Sequence, residues 1–299
     1  MPRRDVLLAC SVAVLWGANF VAIHASLQHF PPLFLISLRF AVLALPALLF
    51  VRRPDVPVRW LLLYGTGFGI VQFVFLYAGL EAGIPAGLAS LVLQASAPFT
   101  VLLAMIFLRE RPGGVRLLGI AVALLGFGVI AVTRGLESQL VPVLLVLAGA
   151  FGWALGNIGS RQARAKDPFA LMMWMTVVPP VPMLALALAV EGPQRIGDSL
   201  TTVTDPSALP ALAGLVYTVV LGTVVGSWLW SSLMARHPSS RVAPFSMLVP
   251  VAGFASAAVV LGERPAAGDL VGGALVVAGV LLPVLVGRRP VVPRTPAHA

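Results

Sequence analysis

The chain has 299 residues, of which 59% are apolar and only 10% charged, and its mean hydropathy is +0.98. A water-soluble domain of this length needs charge on about a quarter of its residues, so the composition excludes a water-solvated fold and makes a lipid bilayer the missing solvent. The net charge of +9 comes from basic residues in ones to threes between apolar runs, with no basic stripe interleaved with aromatics, which excludes a nucleic-acid partner, and the single Cys10 excludes a disulfide framework.

Crossing the hydrocarbon core takes about 20 apolar residues. Ten runs meet that length, at 5–25, 32–51, 60–81, 85–108, 115–133, 141–163, 168–191, 207–235, 240–261 and 268–287. The first follows MPRR but is too long for a signal peptide, contains Trp16 and Asn19, and lacks a small-residue cleavage site. The second carries Arg39, about seven residues or roughly 10 Å inside the span. From there it can snorkel to the interface, with Glu81 at the end of the third span as its expected partner; attraction of a substrate carboxylate is the alternative. The third span holds Gln72 and Tyr77, the fourth Gln94, Ser96 and Pro98, and the sixth Trp153 and Asn157. The eighth holds Ser227, Trp230 and Ser231, and the ninth Ser246 and Pro250. Short breakers rich in Pro, Gly and charge separate the spans, except for the long stretch EGPQRIGDSLTTVTDPS at 191–207.

Of the twenty lysines and arginines, Arg134, Arg195 and Arg264 fall on one side of the membrane and Arg39 inside a span, while all the others fall on the side of the N-terminus. Short cytoplasmic loops are enriched in these residues, so both termini are expected in the cytoplasm.

LRERPGGVRLLGIAVALLGF at 108–127 returns as LGERPAAGDLVGGALVVAGV at 261–280, an offset of 153 that aligns Glu110 with Glu263, Arg111 with Arg264, Pro112 with Pro265, Gly119 with Gly272 and Gly126 with Gly279. Each copy holds five spans, and an odd number turns the second copy over in the membrane. Arg109 and Arg116 then obey the charge bias, and their counterparts Gly262 and Asp269 obey it by lacking positive charge. The expected fold is an all-α membrane protein of ten transmembrane helices, built as two inverted five-helix repeats, 1–134 and 135–288, followed by a cytoplasmic tail at 289–299.

The segments WGANF (16–20), PPLFLISLRF (31–40), GLASLVLQASAPFT (87–100), LRERP (108–112) and RVAPFSMLVPVAG (241–253) resemble the EamA-type branch of the drug/metabolite transporter superfamily, which includes bacterial inner-membrane exporters of amino acids and their metabolites. The resemblance runs to about residue 287. It implies a central cavity lined mainly by helices one, three, four, six, eight and nine, with helices five and ten at the edge. Glu110, Arg111, Glu263 and Arg264 would then make turn contacts or act in gating.

Polar side chains in hydrocarbon need a partner or a wet cavity, and those in these spans concentrate on the six cavity helices. Substrate contact is expected from Asn19, Gln72, Gln94, Asn157, Ser227 and Ser246, with interhelical hydrogen bonding as the alternative. Trp16 and Trp153, at matching depth in helices one and six, are expected as opposing walls, with Tyr77 and Trp230 as a second pair. Arg39, Glu81, Pro98 and Pro250 are the expected gating or structural positions. GxxxG spacings at Gly65 and Gly69, Gly152 and Gly156, and Gly222 and Gly226 point to close helix packing.

All eleven acids fall in loops or at helix ends, where proton-coupled carriers usually place one in mid-membrane. No Walker A motif, metal-ligand spacing or nucleophile with a nearby base occurs, so no cofactor, no metal and no catalysis are expected. The reading is a monomeric bacterial inner-membrane exporter of amino acids and related small metabolites, working by alternating access as a uniporter. A proton-coupled antiporter using Glu81 or His24 is the rival within transport, and a non-transporting membrane sensor or scaffold the rival outside it.

Overall fold

A computed structural model describes residues 1–136 and 140–286; the tail expected at 289–299 lies outside the described residues. Ten helices are long and apolar enough to cross a membrane: α1 (Arg3–Leu27), α2 (Pro32–Phe50), α3 (Val58–Glu81), α4 (Ala86–Leu108), α5 (Gly114–Arg134), α6 (Leu140–Ala163), α7 (Pro168–Val190), α8 (Pro206–Arg236), α9 (Ala243–Leu261) and α10 (Ala267–Val286). No strand occurs among the described residues. The fold is therefore that of an all-α, multi-pass membrane protein. Its outer surface confirms the solvent: Phe50, Val181 and Val259 are 82%, 77% and 85% exposed, side chains that only lipid can cover without penalty.

Helix ends are set by local chemistry and by partners across the fold. Pro32 and Pro168 open α2 and α7, where a missing N–H costs nothing. Asp167 caps α7 by accepting from the N–H of Phe169 and Ala170. The start of α2 is capped from a distance by Glu191, whose carboxylate accepts from the N–H of Leu33 (2.6 Å) and Phe34 (2.9 Å). Burial pushes the Glu191 carboxyl above its ordinary range, and the two N–H donors pull it partly back.

The repeat governs packing. Helix α1 packs on α8 and α9, and α6 packs in the same way on α3 and α4, while α2 pairs with α7 and α5 with α10. The first helix of each repeat is thus embedded in the other. Along α5 and α10, Gly126 lies against Gly272 and Gly119 against Gly279, so each glycine meets the counterpart of the other one, as an antiparallel two-fold requires. A Cβ at Gly126 would sit 2.5 Å from the Gly272 carbonyl oxygen. Beside this seam, Arg134 and Asp269 form a buried ion pair, and Asp269 also accepts from the N–H of Ala266.

The two copies also break regular helix at matching places. Seven residues of α3, Gly65–Val71, are wound as π-helix, and so are Tyr217–Val225 of α8. Short 3₁₀ segments fall at Leu93–Ala95 in α4 and Ala243–Met247 in α9, with Pro98 and Pro250 each lying three residues beyond, and a third, Pro206–Ala208, opens α8 without a counterpart in α3. After α4 and α9 the chain turns through left-handed residues at the equivalent positions, Arg109 (φ 54°) and Gly262 (φ 69°).

Replacing Gly126 by Leu forces α5 and α10 apart and is expected to destabilise the detergent-purified protein by roughly 1–3 kcal/mol, read as a lower midpoint in thermal unfolding. The same change at Gly128, where an added Cβ meets nothing within 4 Å, leaves the midpoint in place.

Candidate substrate site

Arg39 lies on the inner face of α2 and is 5% exposed. Its guanidinium carbon sits 4.2 Å from the ring centre of Phe73 and 5.4 Å from that of Phe40. Nη2 donates to Thr223 Oγ1 at 3.0 Å and Nη1 makes a long contact of 3.4 Å with the Tyr77 hydroxyl, while Nε is buried without an acceptor. Among the described residues no acid pairs with it. This corrects the expected partnership with Glu81, which instead faces Arg195 at 3.6 Å with both side chains more than half exposed. Arg39 does not snorkel because two aromatic faces and two hydroxyls hold its charge inside the bundle.

The π-helical stretch of α8 builds the opposite wall. Thr223 Oγ1, the acceptor for Arg39, itself donates to the Thr218 carbonyl five residues back. The Gly222 carbonyl accepts from Trp16 Nε1 at 2.9 Å. A Cβ on Gly222 would lie 2.7 Å from Asn19 Oδ1, so the bare glycine is what admits the Asn19 carboxamide. Asn19 Oδ1, Thr218 Oγ1 and, on α3, Gln72 Oε1 are buried with no hydrogen-bond partner among the described residues. Trp16, Asn19, Thr223 and Ser227 are nonetheless only half-buried in mid-span, which gives the cluster an open edge.

The structure therefore brings together Trp16, Asn19, Arg39 and Tyr77, residues the sequence singles out. Trp230 joins them through Trp16, its ring 5.2 Å away, and Ser227 lies one turn before it on α8. Trp153 stacks edge-on against Phe68 (5.7 Å), which continues through Phe73 (5.9 Å) to Tyr77 (5.6 Å), an aromatic wall reaching Arg39. Two other expected residues tie helices together: Gln94 Nε2 donates to the Ser246 carbonyl between α4 and α9, and Asn157 Nδ2 to Thr100 Oγ1 between α6 and α4. The Ser246 hydroxyl bonds within its own turn. Phe73, Phe68, Thr218 and Thr223 escape sequence reasoning. The first two look like ordinary apolar bulk, and the threonines gain meaning only from a π-helix that no sequence pattern announces.

At the bundle ends, the two equivalent glutamates behave differently. Glu263 caps α4, accepting from the N–H of Ala86 (2.7 Å) and Gly87 (3.1 Å). Glu110, on the opposite face, forms an ion pair with Arg161 of α6 and borders a pocket lined by Thr100, Ala104, Met105 and Arg116.

Ten lipid-facing helices in two antiparallel copies, with unpartnered polar atoms gathered at mid-span, define a membrane transporter. The chain belongs to the EamA-like transporter family, whose profile matches residues 3–132 and again 140–285. It is 41% identical over 290 residues to a probable amino-acid metabolite efflux pump of Salmonella typhimurium, covering 95% of this chain and 96% of that one. It is 40% identical to the protein of the same description in Escherichia coli, and 31% identical to a probable terminal-alkyne amino-acid exporter of Streptantibioticus cattleyicolor, covering 90% and 89% of the two chains. A solved crystal structure with 18% identity superposes with a TM-score of 0.61 over 97% of this chain and 99% of that one, which shows the shared fold.

Because the Glu81–Arg195 pair is solvated, Glu81→Gln should change stability by no more than about 1 kcal/mol and leave the thermal midpoint nearly unmoved. A large loss would mean that Glu81 neutralises a buried cation.

Proposed function

We propose that this chain exports amino acids and related small metabolites across the bacterial inner membrane, as a monomeric secondary transporter working by alternating access, with both termini in the cytoplasm. The relatives' descriptions support the substrate class, and the cation bias supports the orientation.

The observation that carries the transport mechanism is the unequal use of one repeated turn. Glu110 N and Glu263 N donate to the carbonyls of Ala104 and Ala257, equivalent positions, both at 3.3 Å, so the two backbone turns match. Their side chains do not. On the periplasmic side Glu263 holds the start of α4 to the end of α9, where two N–H groups and the helix dipole favour a carboxylate. On the cytoplasmic side the 153-residue offset aligns the corresponding contact with Ser239 and Ser240, just before α9, while the Glu110 carboxylate pairs with Arg161. On this reading the Glu263 contact is a closed periplasmic latch and the Glu110–Arg161 pair a released cytoplasmic one, which corresponds to an inward-facing state, and exchanging the two reverses access. Substrate then binds at mid-span, between the halves, and each half's swing exposes it to one side.

Uncoupled transport fits the placement of acids. Asp5 and Asp269 are buried, but at span ends and with basic partners: Asp5 with His237 (2.6 Å) and Arg236 (3.3 Å), Asp269 with Arg134. None stands beside Arg39 to carry a proton through the centre.

Counterflow in liposomes containing the purified protein tests this reading. A panel of radiolabelled amino acids should exchange, an imposed pH gradient should not drive net accumulation, and Glu263→Gln should slow exchange about tenfold or more by weakening the periplasmic latch. Accumulation that follows the pH gradient would establish proton coupling, and the absence of any exchange would refute transport of this class.

A further inference from the structure

The bundle buries one cation and several acceptors that the fold itself leaves unanswered. At the centre of a membrane helix an arginine costs about 2.5–3.5 kcal/mol even on the lenient insertion scale, and buried unpaired polar oxygens add to that cost. Arg39 nonetheless has a buried Nε with no acceptor and no acidic neighbour among the described residues. Besides Gln72 Oε1 on α3, next to Phe73, the other orphan atoms are Asn19 Oδ1 and Thr218 Oγ1, which with Arg39 make a group of three. All three are tied to one stretch of α8: Asn19 packs on Gly222, Arg39 bonds Thr223, and Thr223 bonds the Thr218 carbonyl. A lone anion would satisfy Arg39 and leave the two oxygens bare. A lone amine would do the reverse and face repulsion from the guanidinium.

Resting on the transport reading above, we propose that Arg39, Asn19 and Thr218 form a zwitterion-binding site, in which Arg39 takes the substrate carboxylate and the oxygens of Asn19 and Thr218 take its α-ammonium. The ligand class is a free α-amino acid or a derivative modified only on its side chain. The Trp16–Trp230 pair, joined to the same segment through the Gly222 carbonyl, borders the side-chain end and accepts apolar or flat groups. N-acylated amino acids lose the ammonium, and decarboxylated amines lose the group that Arg39 demands. Each should therefore bind poorly.

The test uses the full chain in liposomes and the radiolabelled L-amino acid that exchanges fastest from a panel of serine, threonine, cysteine, leucine and phenylalanine. In the unaltered protein, the N-acetyl derivative and the decarboxylated amine of that amino acid should compete at least tenfold less well than the amino acid itself. Arg39→Gln should reduce exchange at least tenfold, with Arg39→Lys recovering part of it. Asn19→Leu should raise KM more than it lowers the maximal rate, because it removes one acceptor for the substrate ammonium. Equal competition by the N-acetyl derivative or the amine would overturn the site, and that measurement needs no variant that could misfold. Unchanged KM in well-folded Arg39→Gln would overturn it as well. Exchange of no amino acid by the unaltered protein would instead sink the transport reading itself, a result distinct from loss of selectivity.

Discussion

A positive charge held at depth in hydrocarbon, with no acid beside it among the described residues, is the constraint from which the centre of this molecule is built. Water would solvate Arg39 and lipid cannot, so the protein surrounds it with the substitutes available inside a helical bundle: the faces of Phe73 and Phe40, the hydroxyl of Thr223 and, more distantly, that of Tyr77. These are dipoles and quadrupoles, each weaker than a carboxylate. They keep the cation in place without neutralising it. A structural arginine would be better served by an acid, and the chain has buried acids, but it places them at the ends of spans with basic partners of their own.

The second governing feature is a two-fold symmetry of the helices that the side chains use unequally. The π-helical segments of α3 and α8 and the left-handed turns at Arg109 and Gly262 recur in register, and the glycine seam of α5 and α10 obeys the same two-fold. On the proposed transport reading such a frame closes at one membrane face or the other, and the side chains of Glu110 and Glu263 distinguish the two faces. Helix α1 packs into the second repeat and α6 into the first, so the first helix of each copy is held by the other.

The spans and the repeat were legible in the sequence because hydropathy and the ERP turn are local signals: lipid demands long apolar runs wherever they occur. The polar residues of the site were also visible one at a time, since Asn19, Gln72 and Arg39 stand out against apolar neighbours. Their grouping was not. Arg39 looked reachable by Glu81, yet the rings of Phe73 and Phe40 hold it in the interior, and Arg195 from the long connection takes Glu81. Trp230 aligns with Tyr77 in the repeat, but the Gly222 carbonyl in the π-helix of α8 holds Trp16, and the Trp230 ring lies against that indole instead. Non-α winding and contacts between sequence-distant helices decide these pairings, and neither leaves a periodic trace.

A density map of the protein saturated with a transported amino acid, at a resolution that separates carboxylate from ammonium, tests the central claim most directly. The account predicts the carboxylate against the Arg39 guanidinium and the nitrogen beside Asn19 Oδ1 and Thr218 Oγ1. Substrate bound elsewhere, with Arg39 still resting only on Phe73 and Thr223, would contradict it.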